Sequence, residues 1–386
     1  MPLLPFPVES RLPGVGTTIF TVMSRLAAEC GALNLSQGFP DFSAEPELLE
    51  RVSHHMRAGS NQYAPMAGVP ALREAIATRS EGLYGTRYDP EHEVTVTAGG
   101  TQAIFTAVTA LTRPGDEVIV LEPVYDSYVP AIELAGGRAI RASLAPPAWR
   151  PDWAAIRRLL SPRTRMILVN SPHNPTGSVF TRSDLDALAD LVRGTGIVVL
   201  SDEVYEHIVF DGARHESVSR HPELASRSFV VGSFGKTFHV TGWKVGWALA
   251  PRALMAEFRK VHQFVVFTVN TPVQLALADF MSEPRRWLDL PAFYQRKRDL
   301  FRAGLAATRL EPLPCAGTYF QLASYARVSD EPDTVLAERL TREIGVASIP
   351  VSAFFADGRQ DRVLRFCFAK SDETLARACE RLARLT

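Results

Sequence analysis

The segment TRMILVNSPHNPTGSVFTRSDLDALADLVRGTGIVVLSDEVY, residues 164–205, decides the fold of this chain. It contains two continuous apolar runs, MILV and GIVVL, which are separated by an amphipathic stretch from Leu185 to Arg193. Continuous apolar runs of this length are typical of strands that helices cover on both faces. Five further runs of the same kind occur in the chain: EVTVTAGG, DEVIVLEP, RAIRASL, SFVVGSF and KVGWALAP. We therefore predict an α/β domain with a mostly parallel sheet.

The pattern changes after about Trp287. A long helical stretch, LPAFYQRKRDLFRAGLAA, precedes three short strand-like runs, GTYFQLA, GVASIPVS and RVLRFCFA, and a terminal helix. This order indicates a second, smaller α+β domain. We predict a large domain over residues 45–286 and a small domain formed by residues 1–44 together with residues 287–386.

Composition restricts the classes of partner. The 386 residues include 42 basic and 42 acidic side chains, so nothing in the net charge favours nucleic acid or an anionic membrane. The first residues, MPLLPFPVESR, lack the pattern of a signal peptide, and the apolar runs are too short to span a bilayer. The four cysteines are scattered without metal-type spacing. We expect a reduced, cytoplasmic protein with no metal site and with neither nucleic acid nor membrane as partner.

Polar residues follow four of the predicted strands. In open α/β sheets, ligands bind at the carboxyl ends of the strands. Asn174 follows MILVN, Asp202 ends GIVVLSD, and Ser233 and Lys236 follow SFVV. The strand VTVT is followed by a turn that begins a helix, and this turn contains Gly99, Gly100, Thr101 and Gln102. An amide, a carboxylate, a lysine and a loop suited to phosphate are therefore expected to lie together.

Two kinds of chemistry compete for Lys236. The segment GSFGKT resembles the end of a nucleotide-binding P-loop, but Val230 stands where that pattern requires its first glycine. The alternative is a lysine whose amine condenses with the aldehyde of pyridoxal 5'-phosphate (PLP), a cofactor that also needs a carboxylate at its ring nitrogen and a phosphate cradle. The second alternative accounts for all four strand ends.

The chain also resembles a known family along nearly its whole length. The motifs are GFPDF, NQYAPMAGVPALREAI, TAGGTQA, SPHNPTG, SDEVYEHIVFDG, SFGKTFHVTGWKVGW and VLRFCFAK. They resemble the class I/II aminotransferases, and within them the group of bacterial methionine aminotransferases and kynurenine/glutamine aminotransferases. This resemblance implies the PLP-dependent transferase fold type I, with a seven-stranded sheet in the large domain.

The resemblance implies roles for the residues at the strand ends. Lys236 would hold PLP as a Schiff base and then move the substrate α-proton, Asp202 would pair with the pyridine nitrogen, and Tyr205 and Asn174 would bind the ring oxygen. The phosphate would be bound by Gly100, Thr101, Gln102, Ser233 and Lys244. Plain structural roles compete with each of these: Asp202 is suited to a helix N-cap, Asn174 to a turn, and the glycines to an ordinary tight turn.

Further residues are assigned by the same resemblance. Tyr125 would stack on the PLP ring, and Tyr63 would reach the phosphate of the neighbouring subunit, which implies a homodimer with shared active sites. Arg365 lies between apolar residues of a strand, where a charge needs a partner, and the substrate α-carboxylate would be that partner. An ordinary structural ion pair is the alternative for Arg365.

The remaining substrate contacts concern both ends of the amino acid. Gly38 and Asn174 would assist the binding of the carboxylate. Phe20, Phe267 and Phe354 would lie near the substrate side chain, although each of them could equally be a core residue.

The expected activity is transfer of the amino group of methionine, and of other large neutral or aromatic amino acids, to a 2-oxo acid. The alternatives on the same site are a kynurenine/glutamine aminotransferase and a cysteine-S-conjugate β-lyase. A non-catalytic PLP-binding regulator is a further alternative, which we do not expect because no added helix-turn-helix segment fits before Arg11.

Overall fold

The computed structural model describes residues 8–385, so the first seven residues of the predicted small domain lie outside the described part. The strands are β1 Leu33–Asn34, β2 Val94–Thr97, β3 Glu117–Glu122, β4 Arg138–Ser143, β5 Thr164–Asn170, β6 Val198–Asp202, β7 Ser228–Ser233, β8 Gly246–Leu249, β9 Glu311–Pro312, β10 Phe320–Ser324, β11 Val346–Ala347, β12 Ile349–Pro350 and β13 Val363–Cys367.

The α-helices are α1 Ile19–Cys30, α2 Pro46–Arg57, α3 Pro70–Tyr84, α4 Gly99–Leu111, α5 Tyr128–Leu134, α6 Trp153–Leu159, α7 Arg182–Val192, α8 Pro222–Ala225, α9 Phe234–Thr237, α10 Arg252–Val265, α11 Thr271–Phe280, α12 Arg285–Leu288, α13 Leu290–Ala306, α14 Asp333–Arg339 and α15 Asp372–Leu382. Short 3-10 segments occupy Val218–Arg220, Thr241–Trp243 and Val351–Phe354, and a π-helical turn follows α14 at Leu340–Ile344.

Seven strands form the central sheet in the order β2-β8-β7-β6-β5-β3-β4. Strand β8 runs antiparallel to both of its neighbours, and the other pairings are parallel. All seven apolar runs of the sequence form these strands, so the predicted mostly parallel sheet is confirmed. Every residue of β3 is buried, as expected for a strand covered on both faces.

Helices cover the two faces of this sheet. Apolar residues of α4, α5 and α10 pack in one cluster, which includes Ile104, Ile132 and Phe258. A larger cluster contains apolar residues of α6 and α7, such as Ile156 and Leu188, and continues into the carboxy-terminal elements. The carboxyl ends of β5, β6 and β7 are thereby left side by side at one edge of a rigid scaffold.

The remaining strands form a four-stranded antiparallel sheet, β12-β13-β10-β9, and a two-stranded parallel pair, β1 and β11. In the pair, Leu33 lies opposite Val346, so an amino-terminal segment packs with the carboxy-terminal elements. The grouping of residues 1–44 with residues 287–386 and the limits of the two domains stay predictions. Within residues 8–385 no helix is long and apolar enough to cross a membrane.

Candidate active site

A cavity of about 230 Å³ lies where the carboxyl ends of β2, β5, β6 and β7 meet the antiparallel pair of strands β10 and β13. Most of the predicted site residues line it: Phe20, Gly38, Gly100, Thr101, Tyr125, Asn174, Asp202, Tyr205, Ser233, Lys236, Lys244 and Arg365. Gln102, Tyr63, Phe267 and Phe354 are not among its lining residues. The cavity therefore brings together positions that are up to 345 residues apart, because Phe20 and Arg365 both line it.

Lys236 lies on α9, the single turn that follows β7, and its side chain is half-buried. Nζ donates hydrogen bonds to the phenol oxygen of Tyr319 at 2.8 Å and to the carbonyl oxygen of Gly38 at 3.2 Å. Burial, with the nearby charges of Lys244 and Arg365, lowers the pKa of Lys236 to about 8. The neutral amine, which is the nucleophilic form, is then about 300-fold more populated at neutral pH than in an ordinary lysine.

Asp202 ends β6, and its carboxylate is buried. The hydroxyl of Tyr128 donates to Oδ2 at 2.5 Å, and the backbone N–H of Val204 donates to Oδ1 at 3.3 Å. Burial raises the pKa of Asp202 to about 6, although these two hydrogen bonds oppose the change. Asp202 is therefore ionised at neutral pH in a setting that favours a positively charged partner.

Arg365 is 1% exposed. Its Nη1 donates to Oδ1 of Asn174 at 2.9 Å and its Nη2 donates to the carbonyl oxygen of Ser36 at 2.8 Å, while Nε is buried with no hydrogen-bond partner. No salt bridge among residues 8–385 involves Arg365, and burial lowers its pKa to about 10. A buried guanidinium with neutral acceptors only is suited to a carboxylate that comes from outside the chain. The expected alternative, an ordinary ion pair, has no partner within the described residues.

The turn between β2 and α4 brings a helix start close to a lysine. Gly99 has a φ of +80°, and a Cβ built there would lie 3.2 Å from Nζ of Lys244. Lys244 itself adopts a left-handed backbone with a φ of +53°, which is uncommon for a lysine and occurs mainly where the surrounding structure requires it. The N-terminal N–H groups of α4 and the Lys244 ammonium together form a cradle suited to an anion.

Two other predicted residues, Gln102 and Phe354, lie near the cavity but are not part of its lining. The side chain of Gln102 points away from the cavity, since its Oε1 accepts from the backbone of Ala98 and its Nε2 donates to Thr106. Only its backbone N–H remains for a phosphate. Phe354 packs against Phe20, with ring centroids 5.9 Å apart, and lies beside Arg365.

Tyr63 and Phe267 lie on the surface of the chain. Tyr63 is 80% exposed and Phe267 is 41% exposed, and their rings contact each other edge to face at 5.2 Å. Neither side chain reaches the cavity of the same chain, so the roles predicted for them stay predictions.

Several residues at the site escaped the sequence analysis, and the side chains of three of them hydrogen-bond to predicted site residues. The hydroxyl of Tyr128 donates to Asp202, and the phenol oxygen of Tyr319 accepts from Lys236. The side-chain amide of Asn170 accepts from the backbone N–H of Asn174 and donates to the carbonyl oxygen of Asp202. Asn170 ends a predicted strand, and that position could have identified it. Nothing in the local sequence distinguishes Tyr128 and Tyr319 from core tyrosines.

The chain matches known proteins over its full length. Residues 31–382 match the family described as aminotransferase class I and II. The chain is 53% identical over 385 residues to the methionine aminotransferase of Escherichia coli, covering 100% of this chain and 99% of that protein. It is 35% identical over 408 residues to human kynurenine–oxoglutarate transaminase 1, covering 96% of each.

A solved structure of YbdL from Escherichia coli, described as identifying a methionine aminotransferase function, superposes with a TM-score of 0.97 at 53% identity. That match covers 99% of this chain and 100% of the other. The fold is accordingly the PLP-dependent transferase fold type I, as predicted, and the family depends on PLP. The nucleotide-binding alternative for Lys236 finds no support in these matches. The chain belongs to the class I and II aminotransferase family and is an aminotransferase.

Proposed function

We propose that this chain binds PLP in the cavity and transfers the amino group of methionine, and of other large neutral or aromatic amino acids, to a 2-oxo acid. One observation carries the proposal. A nucleophilic lysine, a buried carboxylate and a buried arginine (Lys236, Asp202 and Arg365) line one cavity, and no salt bridge within residues 8–385 involves any of them. Charged side chains are rarely left in such a setting unless a ligand completes their interactions.

The donors in the cavity fit the groups of PLP. Lys236, Lys244 and Arg365 face a single carboxylate, Asp202, so the lining has an excess of positive charge that a phosphate and a substrate carboxylate would balance. A Cβ at Gly100 would lie 3.0 Å from a methyl carbon of Val204, so a larger residue would strain the first turn of α4, where the phosphate would bind. When bound, PLP supplies an aldehyde that condenses with amines and a ring that withdraws electrons from the substrate α-carbon.

The side chains of this chain then have distinct tasks. Lys236 Nζ would hold PLP covalently and, as a free amine, take the α-proton from the substrate and return it. The Asp202 carboxylate, ionised above about pH 6, would keep a proton on the ring nitrogen, and the Tyr128 hydroxyl stabilises that carboxylate. Arg365 would bind the α-carboxylate through its guanidinium, with Asn174 fixing the plane of the fork.

The walls of the cavity support a neutral amino-acid side chain. Phe320 and Phe20 flank the guanidinium of Arg365, with ring centroids 4.0 and 5.1 Å from it. Once Lys244 is assigned to the phosphate and Arg365 to the α-carboxylate, no further arginine among the lining residues would bind a second carboxylate. The methionine aminotransferase from Escherichia coli and the human kynurenine–oxoglutarate transaminase are both consistent with such a pocket.

Surface residues support the proposed homodimer. Phe264 and Phe267 are 90% and 41% exposed at the end of α10 and just beyond it, and Tyr63, which contacts Phe267, is 80% exposed. A cluster of exposed apolar side chains, unlike a single one, is typical of an interface. In a homodimer with shared sites, Tyr63 would serve the phosphate of the neighbouring subunit. Sedimentation of the wild-type protein tests the dimer. Tyr63→Ala should weaken PLP binding, while borohydride should still trap PLP on Lys236.

All four cysteines are free, which supports the proposed cytoplasmic location because a reducing compartment keeps thiols in this form. Separation of the cytoplasm from other cell fractions, followed by detection of the protein in each, tests this assignment.

The decisive experiment combines covalent trapping with an activity panel. Borohydride reduction of PLP-loaded protein should fix PLP on the peptide that contains Lys236, and Lys236→Ala should give no adduct. An adduct on another lysine would overturn the proposal. In a panel of donors and acceptors, methionine should be a good donor. Kynurenine as the clearly better donor would favour that alternative, and pyruvate with ammonia formed from a cysteine conjugate without any acceptor would favour a β-lyase.

A further inference from the structure

The hydrogen bonds around Lys236 leave little choice about which atoms donate. The Tyr319 hydroxyl donates to the carbonyl oxygen of Gly38 at 2.5 Å, and a carbonyl oxygen can only accept. The phenol hydrogen is therefore directed at Gly38, so towards Lys236 the phenol oxygen can only accept. Both short contacts of Nζ, to Tyr319 and to Gly38, are consequently donated by the amine.

A neutral primary amine carries two hydrogens and one lone pair. The two acceptors lie on the same side of Nζ, only 2.5 Å from each other, so the hydrogens of the amine are drawn to that side and the lone pair is directed to the other side. We propose that Tyr319 is a positioning residue that orients the lone pair of Lys236 toward the substrate α-proton. This inference rests on the proposed function, in which Lys236 is the base.

The chain around Tyr319 links this orientation to the binding of the carboxylate. Tyr319 is fully buried, and the next residue, Phe320, lies 4.0 Å from the Arg365 guanidinium. A Cβ on Gly38 would lie 2.8 Å from the Phe320 ring, so a larger residue would push the Gly38 carbonyl oxygen away from Lys236 and Tyr319. Two consecutive residues thus contact the base on one side and the carboxylate-binding arginine on the other.

No other titratable neighbour could replace Tyr319 in this role. The ionisable groups that face Lys236 are Asp202, Lys244, Arg365, Cys367 and Tyr205. None of them accepts a hydrogen bond from Nζ within the described residues. The ionisable groups that face Tyr319 itself are Tyr205, Cys367 and Tyr294.

Tyr294 provides a matched control. Its ring lies 5.7 Å from that of Tyr319 and is equally buried, but its hydroxyl has no hydrogen-bond partner among the described residues. The variants Tyr319→Phe and Tyr294→Phe therefore each remove a phenol oxygen, and the two rings are neighbours. Only Tyr319→Phe removes a contact with Lys236.

The first experiment measures exchange of the methionine α-proton with D₂O by the PLP-loaded proteins, without a 2-oxo acid. Tyr319→Phe should slow exchange about 10- to 100-fold and enlarge the isotope effect of α-deuterated methionine, while KM changes less than about threefold. Tyr294→Phe should behave as the wild type. Equal exchange rates in the two variants would overturn the inference, as would a Tyr319→Phe protein that loses thermal stability and substrate affinity to the same degree.

The second experiment does not depend on PLP chemistry. The full-length chain, after removal of PLP, is acylated at a series of pH values, and the modified Lys236 peptide is quantified. A phenol oxygen stabilises the ammonium more than the amine, so Tyr319→Phe should lower the pH midpoint by about half to one unit relative to Tyr294→Phe. An unchanged midpoint would overturn the inference. Wild-type protein that fails to exchange the methionine α-proton would instead overturn the proposed function.

Discussion

Replacing Arg365 by methionine should abolish most activity and at the same time stabilise the folded protein. Arg365 is almost fully buried, and its hydrogen bonds go only to the neutral oxygens of Asn174 and Ser36. The methionine side chain is close in length and apolar, so it can occupy the space between the surrounding aromatic rings.

The magnitudes follow from the burial of the charge. Burial lowers the pKa of Arg365 from 12.5 to about 10, which corresponds to about 3 kcal/mol against the charged form in the fold. Arg365→Met removes this penalty but leaves the buried carbonyl oxygen of Ser36 without a donor, which costs about 1–3 kcal/mol. Asn174 lines the cavity, where water can replace the lost donor. The net stabilisation should therefore be at most about 2 kcal/mol. Since the folded pKa is still far above the assay range, this gain should not change between pH 6 and pH 8.

Arg79→Met is the matched control, because Arg79 is a buried arginine that has a carboxylate partner. Arg79 Nη1 lies 2.7 Å from Oε1 of Glu206, and both side chains are 4% exposed. Methionine at this position leaves the Glu206 charge buried without its partner, and such a loss destabilises proteins by about 3–5 kcal/mol. Two arginines of similar burial should therefore respond in opposite directions.

Thermal unfolding at pH 7.5 and the kcat/KM for methionine measure the two effects. Two charge-assisted hydrogen bonds to the α-carboxylate, about 1.5–3 kcal/mol each, should disappear in Arg365→Met, so kcat/KM should fall by about 10²- to 10⁴-fold. Excess substrate analogue should raise the melting temperature of the wild type but not of this variant. If Arg365→Met unfolds as early as Arg79→Met, the buried guanidinium serves the fold rather than a ligand, and the reasoning fails.

Three further substitutions test other parts of the site. Because the pKa of Asp202 is raised to about 6, the folded chain binds this proton more tightly than the unfolded chain, so the unfolding free energy should gain about 3 kcal/mol as pH falls from about 7 to 3. Asp202→Asn should remove that gain in urea titrations, and an unchanged pH profile would contradict it. Tyr128→Phe deletes the donor to Asp202, so the pKa of that carboxyl should rise further and PLP affinity, followed by absorbance, should fall more at pH 6.5 than at pH 8. Gly99→Ala places a methyl group against Lys244 and should weaken PLP binding about tenfold or more. Gly194 has a similar positive φ with open space around it, so the control Gly194→Ala should lose only about 1 kcal/mol of stability and keep its PLP affinity.

Much of the large domain could be predicted because its strands are buried on both faces. A run such as EVIVLE in β3 is buried throughout and apolar between its two glutamates, and the polar residues that follow four of the strands mark the ligand edge of the sheet. The two-residue strands β1 and β9 carry no such signal, since a segment so short has no measurable periodicity. Strands β11 and β12 both lie in the predicted strand-like run GVASIPVS, which the structure divides into two short strands. Their pairing depends on tertiary contacts, as in the parallel contact between Leu33 and Val346.

The site residues divide by the same physical criterion. Asp202 ends β6 and Lys236 lies on the single turn after β7, so the sheet itself brings them together. Tyr319 reaches Lys236 from the position just before β10 of the other sheet, across 83 residues of sequence, so no local pattern indicates the contact. For Gln102 the motif was located correctly, but the direction of the side chain was not. Its Oε1 accepts a hydrogen bond from the backbone N–H of Ala98 instead of facing the cavity.

The segment SDEVYEH, residues 201–207, explains why a single motif is so informative. Asp202 and Tyr205 line the cavity, while Glu203 and Glu206 point to the opposite side. There, Glu203 accepts from the backbone of Val218 and is bonded to His215, and Glu206 is bonded to Arg79 and Tyr84.

The carboxylates on the opposite side are buried and fully engaged, so they fix the backbone of this turn at several points. A turn held only by its own backbone could rotate, and small displacements at a reacting centre reduce rates steeply. The charges that never contact the cavity are therefore part of what keeps Asp202 and Tyr205 in place. A conservative change at Glu206 should consequently reduce activity through the geometry of residues that the substitution leaves untouched.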